Sequence, residues 1–133
     1  MIVADTNLIA YFLINSGFTP DATAVYRKDP EWIAPVLWRS ELRNALIQSL
    51  RHSLLGLDDI LIVMDRAEGL MKDKSYHMDS SRILRLAADS GCSAYDCEFV
   101  ALAQDMGIPM LTSDRALIAK FKPTVVSMKT FCS

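Results

Sequence analysis

The sequence has few residues of the kinds that crosslink a chain, bind soft metals or cross a membrane. Its 133 residues include three cysteines and two histidines, and no two cysteines form a CxxC pair. The histidines lie far from the cysteines along the chain, which disfavours a zinc site. The longest apolar runs have seven residues, well short of the roughly 18 that span a bilayer. We therefore expect free thiols and a cytoplasmic, non-membrane location.

The sequence also lacks a basic excess and linker-like tracts, and we expect no signal peptide. The formal net charge is −2, so the bulk composition lacks the basic footprint of a nucleic-acid-binding domain. The opening residues, "MIVADTN", have neither the basic stretch nor the apolar length of a signal peptide. With 51% apolar residues and no repeat, the chain is expected to form one domain over residues 1–133, which buries about two-thirds of its unfolded surface.

Short apolar segments alternate with longer amphipathic ones along the whole chain. The predicted strands cover 1–4, 31–35, 74–78, 108–112 and 124–128. The predicted helices cover 6–15, 20–28, 37–52, 57–72, 79–90, 93–107 and 114–121, with Gly91 and Gly107 at two of their C-terminal ends. Strands alternating with helices predict an α/β domain with a mainly parallel sheet.

Four acidic residues fall where such a sheet places its ligand-binding edge. Asp5 ends the first strand and Asp114 follows the strand at 108–112. Asp96 lies in the first turn of the helix that leads into that strand, in line with the apolar stripe of its own helix. Glu41 lies about one turn into the helix after the second strand. All four are therefore expected at the carboxyl edge of the sheet, where open α/β folds bind ligands.

Each acid also has a purely structural explanation. Asp5 and Asp114 are suitable N-caps for the helices that follow them. Asp96 lies three residues after Ser93 and so fits an imperfect capping box, and a helical Glu41 is usually a solvated charge. These explanations are independent of one another, whereas a single metal site accounts for all four acids.

Converging carboxylates require protonation or a cation. Two of them about 4 Å apart repel by several kcal/mol at an effective dielectric constant near 20. Hard oxygen ligands without histidine or cysteine favour Mg²⁺ or Mn²⁺. The coordination shell of such an ion is often completed by substrate phosphate. Neutralising four acids would change the net charge from −2 to −2 + 4 = +2, so the acidic composition does not exclude a phosphate-rich substrate.

Three segments together resemble the PIN-domain nucleases, in particular the VapC-type toxins of prokaryotic toxin–antitoxin pairs. They are "VADTNLIAYFL" at 3–13, "VLWRSELRNAL" at 36–46 and "SAYDCEFVALAQDMGIPMLTSDRAL" at 93–117. The resemblance spans nearly the whole chain in order, and the last segment is its most specific part. It implies a three-layer α/β/α sandwich around a mainly parallel sheet.

The resemblance also implies functions for individual residues. Asp5, Glu41, Asp96 and Asp114 would form the acidic catalytic and metal-binding site for Mg²⁺ or Mn²⁺. Asn7 and Thr112 would hydrogen-bond the carboxylates or metal-bound waters around that site. The implied activity is hydrolysis of RNA phosphodiester bonds, which leaves 3′-hydroxyl and 5′-phosphate ends. The implied partners are an RNA substrate, a second copy of the chain in a homodimer, and an antitoxin protein.

Several interpretations stay open at this point. A PIN-like module that binds RNA or protein without cutting is the main alternative. A haloacid-dehalogenase-type phosphatase is disfavoured because position 7 is Asn rather than Asp, and a receiver domain lacks its phosphoacceptor at 74–78. Arg39, Arg43 and Arg115 either meet substrate phosphates or are solvated or ion-paired. We expect Glu98 to be solvated. Helix 57–72 carries Leu57, Ile60, Leu61 and Met64 on one side. It is either buried on two sides within the monomer or takes part in the homodimer and antitoxin contacts that the resemblance implies.

Overall fold

Short buried strands form the centre of the molecule, described by a computed structural model that covers residues 1–133. The strands are Ile2–Ala4 (β1), Trp32–Pro35 (β2), Ser75–Tyr76 (β3), Met110–Leu111 (β4) and Val125–Val126 (β5). They pair in the order β3-β2-β1-β4-β5, and every pair is parallel. β1 is therefore the central strand, and its three residues are completely buried.

Eight helices connect and cover the strands. They are Thr6–Leu13 (α1), Thr19–Lys28 (α2), Leu37–Arg51 (α3), Leu57–Leu70 (α4), Ser80–Ser90 (α5), Ala94–Met106 (α6), Arg115–Lys120 (α7) and Met128–Cys132 (α8). α6 packs against β1, β2 and β4, and α5 packs on α6. α1 and α3 pack on each other and against β1 and β2, with α4 on their outer side. None of the helices combines the length and the apolar character needed to cross a membrane.

Helix ends follow the local sequence signals closely. Gly91 and Gly107 adopt positive φ values of 73° and 65° directly after α5 and α6, a backbone conformation that costs least at glycine. Ser93 Oγ accepts the backbone N–H of Asp96 at 3.0 Å and caps α6. The start of α6 is thereby fixed at the edge of the sheet where Asp96 was expected.

The predicted final strand, 124–128, extends too far. β5 ends at Val126, and Met128 begins α8 instead. Ser127 explains the change, because its Oγ accepts the backbone N–H of Thr130 at 3.0 Å and so caps a new helix. The remaining predicted strands and helices are present with shifts of a few residues at their ends.

Of the two interpretations of α4, burial on two sides within the monomer is wrong. Its buried residues are Ile60, Val63 and Ala67, whereas Leu61 and Ile62 are 58% and 52% exposed. The helix is therefore buried on one side only, and an apolar strip faces solvent on the other.

Candidate active site

A single cleft of about 310 Å³ is lined by all four predicted acids. Asp5 follows β1, Glu41 lies on α3, Asp96 begins α6 and Asp114 follows β4. Because β1 is flanked by β2 and β4 in a parallel sheet, the segments that leave these strands meet at one carboxyl edge. Residues far apart in sequence are brought together there by the sheet topology.

Asp5 is held by one hydrogen bond to each of its carboxylate oxygens. The backbone N–H of Leu8 donates to Oδ1 at 2.8 Å, so Asp5 also caps α1. Thr112 Oγ1 donates to Oδ2 at 2.6 Å from the end of β4. The hydroxyl of Thr112 accepts the backbone N–H of Asp114 at 3.1 Å. One buried hydroxyl thus connects two of the four acids.

Glu41 is oriented by a residue that the sequence argument did not single out. The buried Thr6 donates from Oγ1 to Glu41 Oε1 at 2.7 Å. Thr6 lies between Asp5 and Asn7 in the segment "DTN", so its position beside the first acid was the available signal. Asn7 lies at the exposed rim of the cleft and makes no hydrogen bond to the four carboxylates.

Asp96 and Asp114 form the more open side of the cleft. Asp96 is half-buried and Asp114 is exposed. Asp114 Oδ1 accepts the backbone N–H groups of Ala116 and Leu117 at 2.9 and 3.2 Å, so it caps α7. The structural explanation considered for Asp114 therefore holds alongside its place in the cleft, as it does for Asp5.

The electrostatics of the cleft disfavour its charged state in the absence of a cation. Burial, with smaller contributions from the charges of Glu41 and Asp96, raises the pKa of Asp5 to about 6 despite its two hydrogen bonds. Burial and the neighbouring charge of Asp114 also raise the pKa of Asp96. None of the four ion pairs in the protein involves one of these acids, so no side-chain cation offsets their charge.

Comparison with known proteins identifies the family. Residues 2–122 match the PIN domain family. The chain belongs to the PIN-domain family. It is similar to "Ribonuclease VapC3" from Pyrobaculum aerophilum, with 27% identity over 128 residues that cover 93% of this chain and 97% of that protein. The crystal structure of PAE2754 from Pyrobaculum aerophilum superposes with a TM-score of 0.76, covering 98% of this chain and 85% of that one at 20% identity.

The PIN-domain prediction and the predicted fold are both confirmed. The parallel five-stranded sheet with helices on both faces is the three-layer α/β/α sandwich expected from the resemblance. At 20% identity the superposition supports the fold alone. The candidate site of this PIN domain rests on its own residues.

Glu98 of this PIN domain was expected to be solvated, but it is only partly exposed. It is half-buried on α6, two residues after Asp96, and it lines a neighbouring cleft with Val36 and His77. Burial and the charge of Glu41 raise its pKa. A helical-wheel argument misses this proximity because Glu41 approaches from a different helix.

The arginines near the acids differ in their surroundings. Arg39 and Arg43 lie 3.8 and 4.0 Å from Glu68 of α4, which matches the ion-paired interpretation. Arg115 is exposed and makes no ion pair. Of the three, Arg115 alone has an uncompensated charge beside the cleft.

The donor set of this PIN domain fits a hydrated divalent ion. The polar side chains of the cleft are carboxylates, hydroxyls and amides, with no histidine or cysteine, so the available metal ligands are the oxygen atoms that hard ions such as Mg²⁺ and Mn²⁺ prefer. No three acidic, cysteine or histidine side chains are close enough to enclose a metal by themselves. Mg²⁺ is usually held by one or two carboxylates and keeps several waters, so this spacing suits it better than a metal that needs a closed protein cage.

Proposed function

We propose that this PIN domain is a Mg²⁺- or Mn²⁺-dependent endoribonuclease and the toxin of a toxin–antitoxin pair. The observation that carries the proposal is the convergence of Asp5, Glu41, Asp96 and Asp114 on one cleft without a compensating cation. The similarity to a protein named Ribonuclease VapC3 supports RNA as the substrate.

The chain's own residues would prepare the cleft for hydrolysis. Asp5 and Asp96 would hold a divalent ion directly, and Glu41 and Asp114 would hold it through water. Thr6 and Thr112 fix the orientation of Glu41 and Asp5 through their hydrogen bonds of 2.7 and 2.6 Å. Such an ion supplies an activated water and stabilises charge on the cleaved phosphate.

Cleavage of purified RNA tests this function. Wild-type protein and Asp96→Asn are incubated with total tRNA and rRNA in Mn²⁺, in Mg²⁺ and in EDTA. We expect discrete fragments with 5′-phosphate ends only for the wild type and only with metal. Asp65→Asn is the matched control, because Asp65 is exposed on α4 and does not line the cleft.

The outcomes separate an enzyme from a binding module. Metal-dependent cleavage that Asp96→Asn loses and Asp65→Asn keeps supports the nuclease. Metal-independent cleavage, or equal cleavage by Asp96→Asn, rules out this site as its origin. RNA binding without cleavage in any metal would favour the non-catalytic PIN-like module instead.

The proposed partners are a second copy of the chain and an antitoxin protein. An exposed apolar strip on and beside α4, formed by Leu54, Leu57, Leu61 and Ile62, supports a protein contact. Sedimentation velocity is expected to give a dimer, and a monomer at all concentrations would contradict this assembly. Expression of the wild type is expected to arrest cell growth, whereas Asp96→Asn is not.

A further inference from the structure

A second cleft of about 200 Å³ adjoins the acidic one. Thr112 lines both clefts, so the two clefts are adjacent at this residue. The wall of the second cleft also includes Ser113 and Arg115, which follow Thr112 in the chain, and Phe18 and Lys129 from other segments. A chain that crosses the acidic cleft past Thr112 therefore enters this second space.

The charge of the second cleft is opposite to that of the first. Arg115 and Lys129 are exposed, and neither makes an ion pair anywhere in the protein. Asp21 is the one carboxylate in the wall, and it leaves one of the two cations uncompensated. RNA phosphates are attracted by unpaired cations of this kind, while the neighbouring carboxylates repel them in the absence of metal.

An aromatic surface lies in the same wall. Phe18 is 47% exposed, and its ring stacks on Tyr11 with centroids 4.5 Å apart and planes inclined by 23°. Tyr11 Oη lies 3.4 Å from Ser113 Oγ beside the acidic cleft. The Phe18 ring is therefore supported from behind and presents a free face. Aromatic faces beside cations are the usual platform for the bases of single-stranded nucleic acid.

We propose that this second cleft holds the substrate nucleotide next to the scissile phosphate, with its base on Phe18 and its phosphate between Arg115 and Lys129. The inference rests on the proposed ribonuclease function and assigns a subsite to it. Phe18 supplies sequence-tolerant stacking, and the two cations supply attraction that the acidic cleft lacks.

Binding of RNA by a cleavage-blocked protein tests the subsite. In the Asp96→Asn background with Mg²⁺, a fluorescein-labelled short single-stranded RNA of mixed sequence is titrated by anisotropy at several salt concentrations. We expect Phe18→Ala to raise the Kd about fivefold or more, as for the loss of one stacked base, with an unchanged salt slope. We expect Lys129→Gln to reduce the slope of log K against log salt by about 0.7.

Two further variants make the result specific. Phe18→Tyr keeps an aromatic ring and is expected to bind as the parent protein does. Lys72→Gln removes an exposed lysine that does not line either cleft, and its slope should change less than that of Lys129→Gln. In the cleaving protein, Phe18→Ala is expected to raise KM more than it lowers kcat.

The possible failures are distinguishable. If the protein with intact acids cuts RNA while Phe18→Ala and Lys129→Gln bind as tightly as the parent with the same slope, the subsite is wrong and the nuclease stands. If the intact protein neither binds nor cuts RNA, both proposals are wrong. Lys129 is exposed and makes no ion pair, so its variant remains informative if Phe18→Ala fails to fold.

Discussion

At the scale of single residues, the ionised carboxylate of Asp5 lowers the stability of the folded protein, and a bound cation would offset this free-energy cost. Its pKa is about 6 in the folded protein, against an ordinary value of 3.8. The folded state therefore binds more protons than the unfolded state between these two pH values, and its stability falls as the pH rises through this window. Above about pH 7, where Asp5 is ionised in both states, the full penalty is present, and it amounts to at most about 3 kcal/mol.

Replacing Asp5 by Asn is expected to stabilise the metal-free protein at neutral pH. Asparagine keeps one acceptor for the backbone N–H of Leu8 and carries no charge to desolvate, while its NH2 group replaces the oxygen that accepts from Thr112 Oγ1 and must donate to that hydroxyl instead. The gain should be about 1–2 kcal/mol near pH 7.5 and should disappear below about pH 3, where Asp5 is protonated in both states. Urea unfolding in EDTA across this pH range measures it, and an Asn variant that is less stable at neutral pH would contradict the pKa argument.

Thr112 is expected to matter through its hydroxyl rather than its volume. Thr112→Val keeps the shape of this buried side chain but removes the hydrogen bonds to Asp5 and Asp114. We expect a loss of about 1–3 kcal/mol in unfolding free energy and at least about tenfold weaker Mn²⁺ binding. Thr112→Ser keeps both hydrogen bonds and should recover most of the Mn²⁺ affinity. Equal Mn²⁺ affinity for the Val and Ser variants would rule out this positioning role.

At the scale of helices and strands, α4 offers a direct test of its orientation. Ile60 is 7% exposed, whereas its neighbour Leu61 is 58% exposed. Ile60→Ala is expected to cost about 2–4 kcal/mol, and Leu61→Ala should stay within about 0.5 kcal/mol. Urea unfolding of the two single variants at low protein concentration compares them. Equal losses would mean that both faces of α4 are buried.

The sequence predicted which segments form helices and strands better than it predicted which face of each helix is buried. In α4, apolar residues occupy every position from 60 to 64, so periodicity alone cannot choose the buried face. Contacts with α1 and α3 make that choice in the folded protein. Glu98 shows the same limitation, because its proximity to Glu41 depends on how two helices meet.

The positions of acids at the edge of the sheet were predicted more accurately than the buried faces of the helices. Asp5 directly follows β1 and Asp114 lies three residues after the end of β4, and a parallel sheet places all strand ends of one kind together. Predicting where these two residues lie therefore required only the correct sheet topology. Thr6 and Thr112 differ in this respect, because each makes its hydrogen bond to a carboxylate from a distant segment. The family resemblance indicated this function for Thr112, whereas the contact of Thr6 with Glu41 depends on how two helices meet.

At the scale of the whole molecule, divalent metal is expected to stabilise the fold. An ion that binds only the folded state adds about 2.7 kcal/mol at a concentration one hundred times its Kd, which raises Tm by several degrees. Differential scanning calorimetry with Mn²⁺ and with EDTA measures the increase. Asp96→Asn should lose it and Asp65→Asn should keep it. An unchanged wild-type Tm at saturating Mn²⁺ would contradict metal binding at the cleft.

The sheet order has a consequence for the synthesis of this protein. The central strand β1 is made first, yet its neighbour β4 lies at residues 110–111, and Asp114 comes later still. A nascent chain on the ribosome therefore cannot assemble the cleft until most of its residues have emerged from the exit tunnel. Whatever chemistry the cleft performs therefore begins only after the segment that carries β4 and Asp114 has been synthesised and has left the tunnel, and the earlier residues wait for it without a functional site.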